Sequence, residues 1–133
     1  MKLHLAQAPG KNFFTGYGDG YVAVNQTRHE RHLLVMSDRL VPWDVPGFDS
    51  LAPPVFEQML AMDPEIVILG TGAALRFPPP DLMRPLTAAG VGTEVMDSRA
   101  ACRTYNILSA EGRRVLAAVL IEPESSPDSR AAL

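Results

Sequence analysis

The sequence predicts an α/β fold: a single three-layer domain, with a mixed central sheet, crossover helices and an N-terminal β meander. Three observations lead there. From about residue 53 onward, helical patterns alternate with short apolar runs of strand length, the pattern of parallel strands joined by crossover helices. Two of those runs, Glu65–Leu69 and Val115–Ile121, lack alternation, as strands covered on both faces do. Before residue 40, strand-like segments follow one another with only turn residues between them, which favours antiparallel pairing over crossovers.

Taken in order, residues 1–11 read as a lead-in ending at Pro9-Gly10. Asn12–Tyr17 reads as a strand, Gly18-Asp19-Gly20 as a hairpin turn and Tyr21–Asn25 as the return strand. Gln26–Arg31 is polar and reads as a turn, and His32–Met36 as the third strand of the meander. Asp38–Ser50, with Pro42, Trp43, Pro46 and Gly47, reads as an irregular connection.

A helix is expected over Pro53–Met62, where Phe56, Met59 and Leu60 recur at helical spacing and proline is tolerated in the first turn. Asp63-Pro64 ends it, because the residue before proline avoids helical geometry. The strand Glu65–Leu69 closes at Gly70-Thr71-Gly72. Phe77-Pro78-Pro79-Pro80 forces an extended connection, Asp81–Ala89 is a short helix and Gly90 stops it. Val91–Met96 is a strand. The helix after it is capped by Asp97 or Ser98, whose side-chain oxygen can accept an unpaired backbone N–H, and Gly112 ends it. Val115–Ile121 is the last strand. The domain is placed at residues 1–121, and the polar tail Glu122–Leu133 is expected to be disordered.

The totals bound the function. A chain of 133 residues with 47% hydrophobic and 20% charged residues is an ordinary globular protein able to bury a core without metals or disulfides. A net charge of −3 argues against general nucleic-acid binding, which needs a basic surface. The single cysteine, Cys102, excludes a disulfide framework and fits a reducing compartment. No apolar run approaches the ~20 residues of a membrane helix, and the N-terminus reads as neither a signal nor a transit peptide. A cytoplasmic location is expected.

The first candidate site is Gly70-Thr71-Gly72. A glycine turn at the carboxyl end of a parallel strand is where open α/β sheets place ligands, and glycines let backbone N–H groups approach an anion. The motif matches neither a dinucleotide fingerprint nor a P-loop, so it also reads as a plain reversal of the chain. The second candidate is Arg99, Arg103 and Asn106, at i, i+4 and i+7 on one helix face. Guanidiniums there could recognise a carboxylate, a phosphate or a protein partner, or serve as solvated charges. Cys102 beside two arginines reads either as an activated thiol or as a small buried hydrophobe. His29 and His32 lie at i and i+3, and with only His4 besides, a histidine metal site is not expected. Trp43 caps the core or anchors a partner. No catalytic constellation assembles, and no cofactor is indicated.

The segments Gly70-Thr71-Gly72, Glu94-Val95-Met96-Asp97, Ala101-Cys102-Arg103-Thr104-Tyr105-Asn106 and Glu111-Gly112-Arg113 together resemble the Mth938-like domain family of unknown function. The resemblance runs from about Gly16 to Leu120. That family includes a mitochondrial assembly factor for respiratory complex I (NADH:ubiquinone oxidoreductase) and an adipogenesis-associated protein. The resemblance implies a compact three-layer α/β fold and no established catalytic activity. It also implies protein partners, respiratory-complex subunits among them. The expectation is therefore a non-enzymatic binding or assembly factor acting through Gly70, Thr71, Gly72, Arg99, Arg103 and Asn106. The competing expectation is a small-molecule or anion-binding protein or enzyme, its cleft at the strand ends near Gly70–Gly72 and Arg103. The edges of the meander leave pairing into a homodimer open.

Overall fold

The structure is a computed structural model and describes residues 10–123. The lead-in up to residue 9, His4 and the tail from residue 124 lie outside the described residues.

Strand β1 (Phe14–Gly18) pairs antiparallel with β2 (Tyr21–Val24) across the turn Asp19-Gly20, where Gly20 takes φ 78°. β2 then pairs antiparallel with β3 (Thr27–His29). The turn between them is only Asn25-Gln26, both residues at positive φ (49° and 72°). Such a two-residue turn matches the twist of its strands, and asparagine tolerates it better than most residues. The polar stretch Gln26–Arg31, expected as a turn, therefore carries the third strand of the meander. The segment expected as that strand, β4 (Leu33–Met36), belongs to the central sheet instead. Leu33 and Val35 face one core while Met36 faces the other, so β4 has two apolar faces and suits a sheet covered on both sides. β5 (Arg39–Pro42) returns beside it, within the connection expected to be irregular.

The helix expected over Pro53–Met62 is α1 (Pro53–Glu57) followed by a tighter 3₁₀ segment, Gln58–Met62. It ends at Asp63, left-handed at φ 54° and directly before Pro64. Next comes β6 (Ile66–Gly70). A 3₁₀ turn at Pro80–Met83 leads into α2 (Arg84–Ala88), with Pro85 in its first turn. The chain continues through β7 (Gly92–Met96), α3 (Ser98–Ala110) and β8 (Val115–Val119). Asp97 caps α3 by accepting the Ala100 N–H at 2.9 Å.

The central sheet has the order β5-β4-β8-β6-β7. β6 is parallel to both β7 and β8, and β4 is antiparallel to β8 and β5. Every residue of β8 is buried. Val115, Ala117 and Val119 face one core, Leu116, Ala118 and Leu120 the other. The first core joins this sheet to α3 and the meander; the second joins it to α1, α2 and the 3₁₀ turns. These are the three layers, with mixed pairing in the middle one.

The meander is fastened to α3 by one buried amide. Asn106 accepts the Phe14 N–H at 2.9 Å and donates to the Phe14 carbonyl at 2.8 Å, so its side chain pairs with β1 as a neighbouring strand would. Beside it, the Tyr105 ring meets Phe14 edge to face, centroids 5.2 Å apart, and its hydroxyl donates to the Asn12 carbonyl at 2.9 Å. Replacing Asn106 by alanine strands both polar groups of Phe14 in the core. We expect a loss of about 2–4 kcal/mol in urea unfolding. A loss under ~1 kcal/mol would show that this amide does not hold the layers together.

Candidate functional site

The end of β6 is the place where the sheet changes direction. The chain leaves β6 for β7 on one side over α2, and leaves β7 for β8 on the other side over α3. A crevice outside the carboxyl ends of the strands is the usual consequence. Gly70-Thr71-Gly72 stands there, as the sequence placed it.

The chain itself occupies that crevice. The Thr71 N–H donates to the Met96 carbonyl at 2.9 Å, and the Gly72 N–H donates to Ser98 Oγ at 2.8 Å. Ser98 Oγ in turn donates to the Leu120 carbonyl at 2.5 Å, and its N–H donates to the Gly72 carbonyl. The Thr71 side chain is fully buried; its hydroxyl donates to the Ala74 carbonyl and accepts the Arg76 N–H. The amides an anion would need already have partners. Gly70 is glycine for packing: a Cβ there would lie 3.0 Å from Ser98 and from the Ala101 methyl. Gly72 sits at φ 98°, and a Cβ there would fall 2.3 Å from Glu122 Oε1.

Glu122 and Arg76 complete the closure. Arg76 Nη2 donates to Glu122 Oε1 at 2.6 Å and to the Thr71 carbonyl at 2.6 Å, while its guanidinium lies 4.5 Å over the Phe48 ring. Glu122, expected at the start of a disordered tail, is thus tied across the strand ends. A carboxylate beside Gly72 also opposes a second anion there. The pocket on this side, lined by Tyr17, Gly72, Ser98, Arg99 and Glu122, has room of about 20 Å³, enough for about one water. On the other side of Glu122 lies an open groove of about 590 Å³ bordered by Phe48, Asp49, Ala74 and Arg76.

The arginines of α3 point to the meander. Arg103 Nη1 donates to the Tyr17 hydroxyl at 2.6 Å, and the guanidiniums of Arg99 and Arg103 lie 5.4 and 5.8 Å from the Tyr17 ring centroid. The fold therefore brings Gly72 and Arg99 to one small pocket. Arg103 lies beside Arg99 on the same Tyr17 ring, which lines that pocket, whereas Asn106 is 2% exposed and bonded to Phe14. A face shared by Arg99, Arg103 and Asn106 does not form, because Asn106 faces the core. Trp43 is buried in the second core. His32 Nδ1 accepts the Ile121 N–H at 2.9 Å. Among the described residues no group of three or more His, Cys, Asp or Glu side chains could hold a metal ion.

Two exposed side chains at this end were not singled out by the sequence. Leu75 is 50% and Phe77 72% exposed, on the loop that leaves Gly72. Their signal was present: apolar residues flanking Arg76, followed by three prolines that hold the chain extended.

Fold and site together define a small three-layer α/β domain whose sheet-end crevice is closed by its own side chains. The chain belongs to the family described as "Protein of unknown function (DUF498/DUF598)", which matches residues 14–120. It is 38% identical to an uncharacterized protein of Rhodobacter capsulatus, over 84% of this chain and 86% of that one. It is 29% identical to the Bos taurus NADH dehydrogenase [ubiquinone] 1 alpha subcomplex assembly factor 3, over 92% of this chain and 67% of that one. The solution structure of a Bordetella pertussis protein described as a Mth938-like domain superposes with a TM-score of 0.78 at 34% identity, covering 98% of each chain. Among the described residues no helix is long and apolar enough to cross a membrane.

Cys102 is fully buried, and burial, outweighing the nearby Arg103 charge, pushes its thiol far above the usual range. Its full burial agrees with the reading as a small buried hydrophobe. Burial also pushes Tyr105 up to about 12. Both groups stay neutral in the native state at pH values where the unfolded chain ionises them. Their contribution to stability is complete below pH 9.0, the ordinary thiol value, and declines above it, continuing through the Tyr105 window from 10.0 to about 12. We expect the urea midpoint to fall between pH 8.5 and pH 10.5, and Cys102→Ala to flatten the first part of that fall. An unchanged slope in Cys102→Ala would remove the thiol as its source.

Proposed function

We propose that this protein is a non-enzymatic assembly factor that docks on subunits of a respiratory NADH dehydrogenase in the cytoplasm. The observation that carries the reading is its similarity to the bovine complex I assembly factor, which extends over 92% of this chain. The geometry of the strand ends supports it: the pocket between Gly72 and Arg99 has room for about one water, and the wider groove beyond Glu122 lies open to solvent. What this end presents outward instead is Leu75 and Phe77. Arg76 between them is fixed by Thr71, Glu122 and Phe48, so the loop meets a partner already ordered and loses little entropy on docking. Gly72 and Arg99 stand at the rim of this surface, and Arg103 with Tyr17 extends it towards the meander.

The test is affinity capture from the native cell, comparing wild type with the Leu75→Ser, Phe77→Ser double variant. Both side chains are exposed, so the variant is expected to melt within about 2 °C of wild type. Wild type is expected to recover NADH dehydrogenase subunits, and the variant at least ~10-fold less, the equivalent of one lost apolar anchor. Equal recovery by both proteins moves the docking surface elsewhere. Recovery of no respiratory subunit by wild type ends the assembly reading.

A further inference from the structure

Among the described residues there are four strand edges, and three carry features that discourage further pairing. At β1 the Asn106 amide pairs both backbone groups of Phe14. β3 has three residues and carries Arg28, which is bonded to Glu30 and lies over Tyr21. β5 begins at Arg39 and ends at Pro42. Short length, charge and proline all discourage further pairing. β7 has none of these except one carboxylate, Glu94, and it forms the outer edge of the central sheet.

The direction of its backbone follows from two hydrogen bonds. The Gly92 N–H donates to Glu65 and the Met96 carbonyl accepts from Thr71, so residues 92, 94 and 96 turn their backbone groups inward to β6 and beyond. In an extended strand the intervening residues point the opposite way. Thr93 and Val95 thus direct N–H and C=O outward, past the last strand.

Set against its own reverse, the sequence around Thr93 places valine on valine, threonine on threonine and Glu94 on Gly92. Val91-Gly92-Thr93-Glu94-Val95 reads apolar, small, Thr, acidic, apolar. We propose that β7 is a self-pairing edge, and that a second copy of this chain docks on it antiparallel about a twofold axis at Thr93. Thr93 exchanges both N–H···O bonds with the partner's Thr93, and the Val95 N–H reaches the carbonyl of the partner's Val91. The Val91 N–H is already donated to Leu86, which ends the ladder there. Val91 and Val95, half-buried against the second core, meet the partner's Val95 and Val91 and extend that apolar layer across the axis. Glu94 lies opposite the partner's Gly92, which has no side chain to meet it. Moving the axis one half-step to Glu94 would set two carboxylates directly opposite each other, so charge selects the Thr93 register. The contact is isologous and closes as a dimer.

One short strand pair lies at the small end of interface sizes. The test is therefore sedimentation and light scattering from about 1 μM to about 1 mM, with amide exchange of Thr93 and Val95 followed by NMR. Wild type is expected to move from monomer to dimer mass, with both amides exchanging at least ~10-fold more slowly at the high end. Thr93→Lys and Thr93→Glu, each placing like charges on the axis, are expected to stay monomeric alone and to recover dimer mass when mixed 1:1. That rescue distinguishes pairing at Thr93 from a variant that has merely lost stability. A wild-type monomer at every concentration overturns the proposal, as does a dimer that both variants leave intact. A monomeric wild type that loses partner capture on Thr93→Lys also overturns it, by assigning the edge to a strand of another protein. The readout is self-association, so it succeeds or fails independently of the Leu75–Phe77 docking surface.

Discussion

The arrangement depends on a buried amide placed where two layers would otherwise part. The meander and α3 cover one face of the central sheet together, and only side-chain packing and hydrogen bonds join them. Asn106 satisfies both backbone groups of Phe14, which are buried and would cost more unpaired than a hydrogen bond returns. The same interaction pairs the β1 edge at Phe14, whose ring meets Tyr105 edge to face. An apolar residue at position 106 could fill the space but could not pair that edge.

The second constraint is the closure of the crevice at the strand ends. α/β sheets of this topology leave an opening where neighbouring connections diverge. Here Ser98 bridges Gly72 to Leu120, and Arg76 bridges Thr71 to Glu122. A carboxylate, a guanidinium and a hydroxyl from three distant parts of the chain fill this end of the sheet. The site thereby exchanges a cavity for an outer surface. Arg76 is the hinge of that exchange: its guanidinium is turned inward while Leu75 and Phe77, on either side of it, are turned out.

Charge and burial divide the remaining polar residues in the same way. Arg103 and Arg99 both lie on Tyr17 and so join α3 to the meander. His32 holds the end of the last strand through the Ile121 N–H. Cys102, beside a guanidinium in sequence, is governed by desolvation, since a neighbouring charge cannot offset the loss of water around a fully buried thiolate.

The sequence by itself determined whatever depends on local pattern. Runs such as Ile66–Leu69 and Val115–Val119, the capping Asp97 and the stops at Asp63-Pro64, Gly90 and Gly112 placed β6 through β8 and α3 within a residue or two, because periodicity and backbone restriction act over a few residues. The joined motifs from Gly70 to Arg113 indicated the family. Only tertiary structure decided which sheet Leu33–Met36 joins, since a two-faced apolar strand fits any sheet covered on both sides. It also decided that Thr27–His29 is a strand, because the Asn25-Gln26 turn lacks the glycine that usually marks so tight a reversal. The site was least legible. Asn106 with Phe14, Arg103 with Tyr17 and Arg76 with Glu122 are separated by 92, 86 and 46 positions. Whether a polar side chain faces a ligand, a partner or its own backbone is settled by which distant segment folds against it.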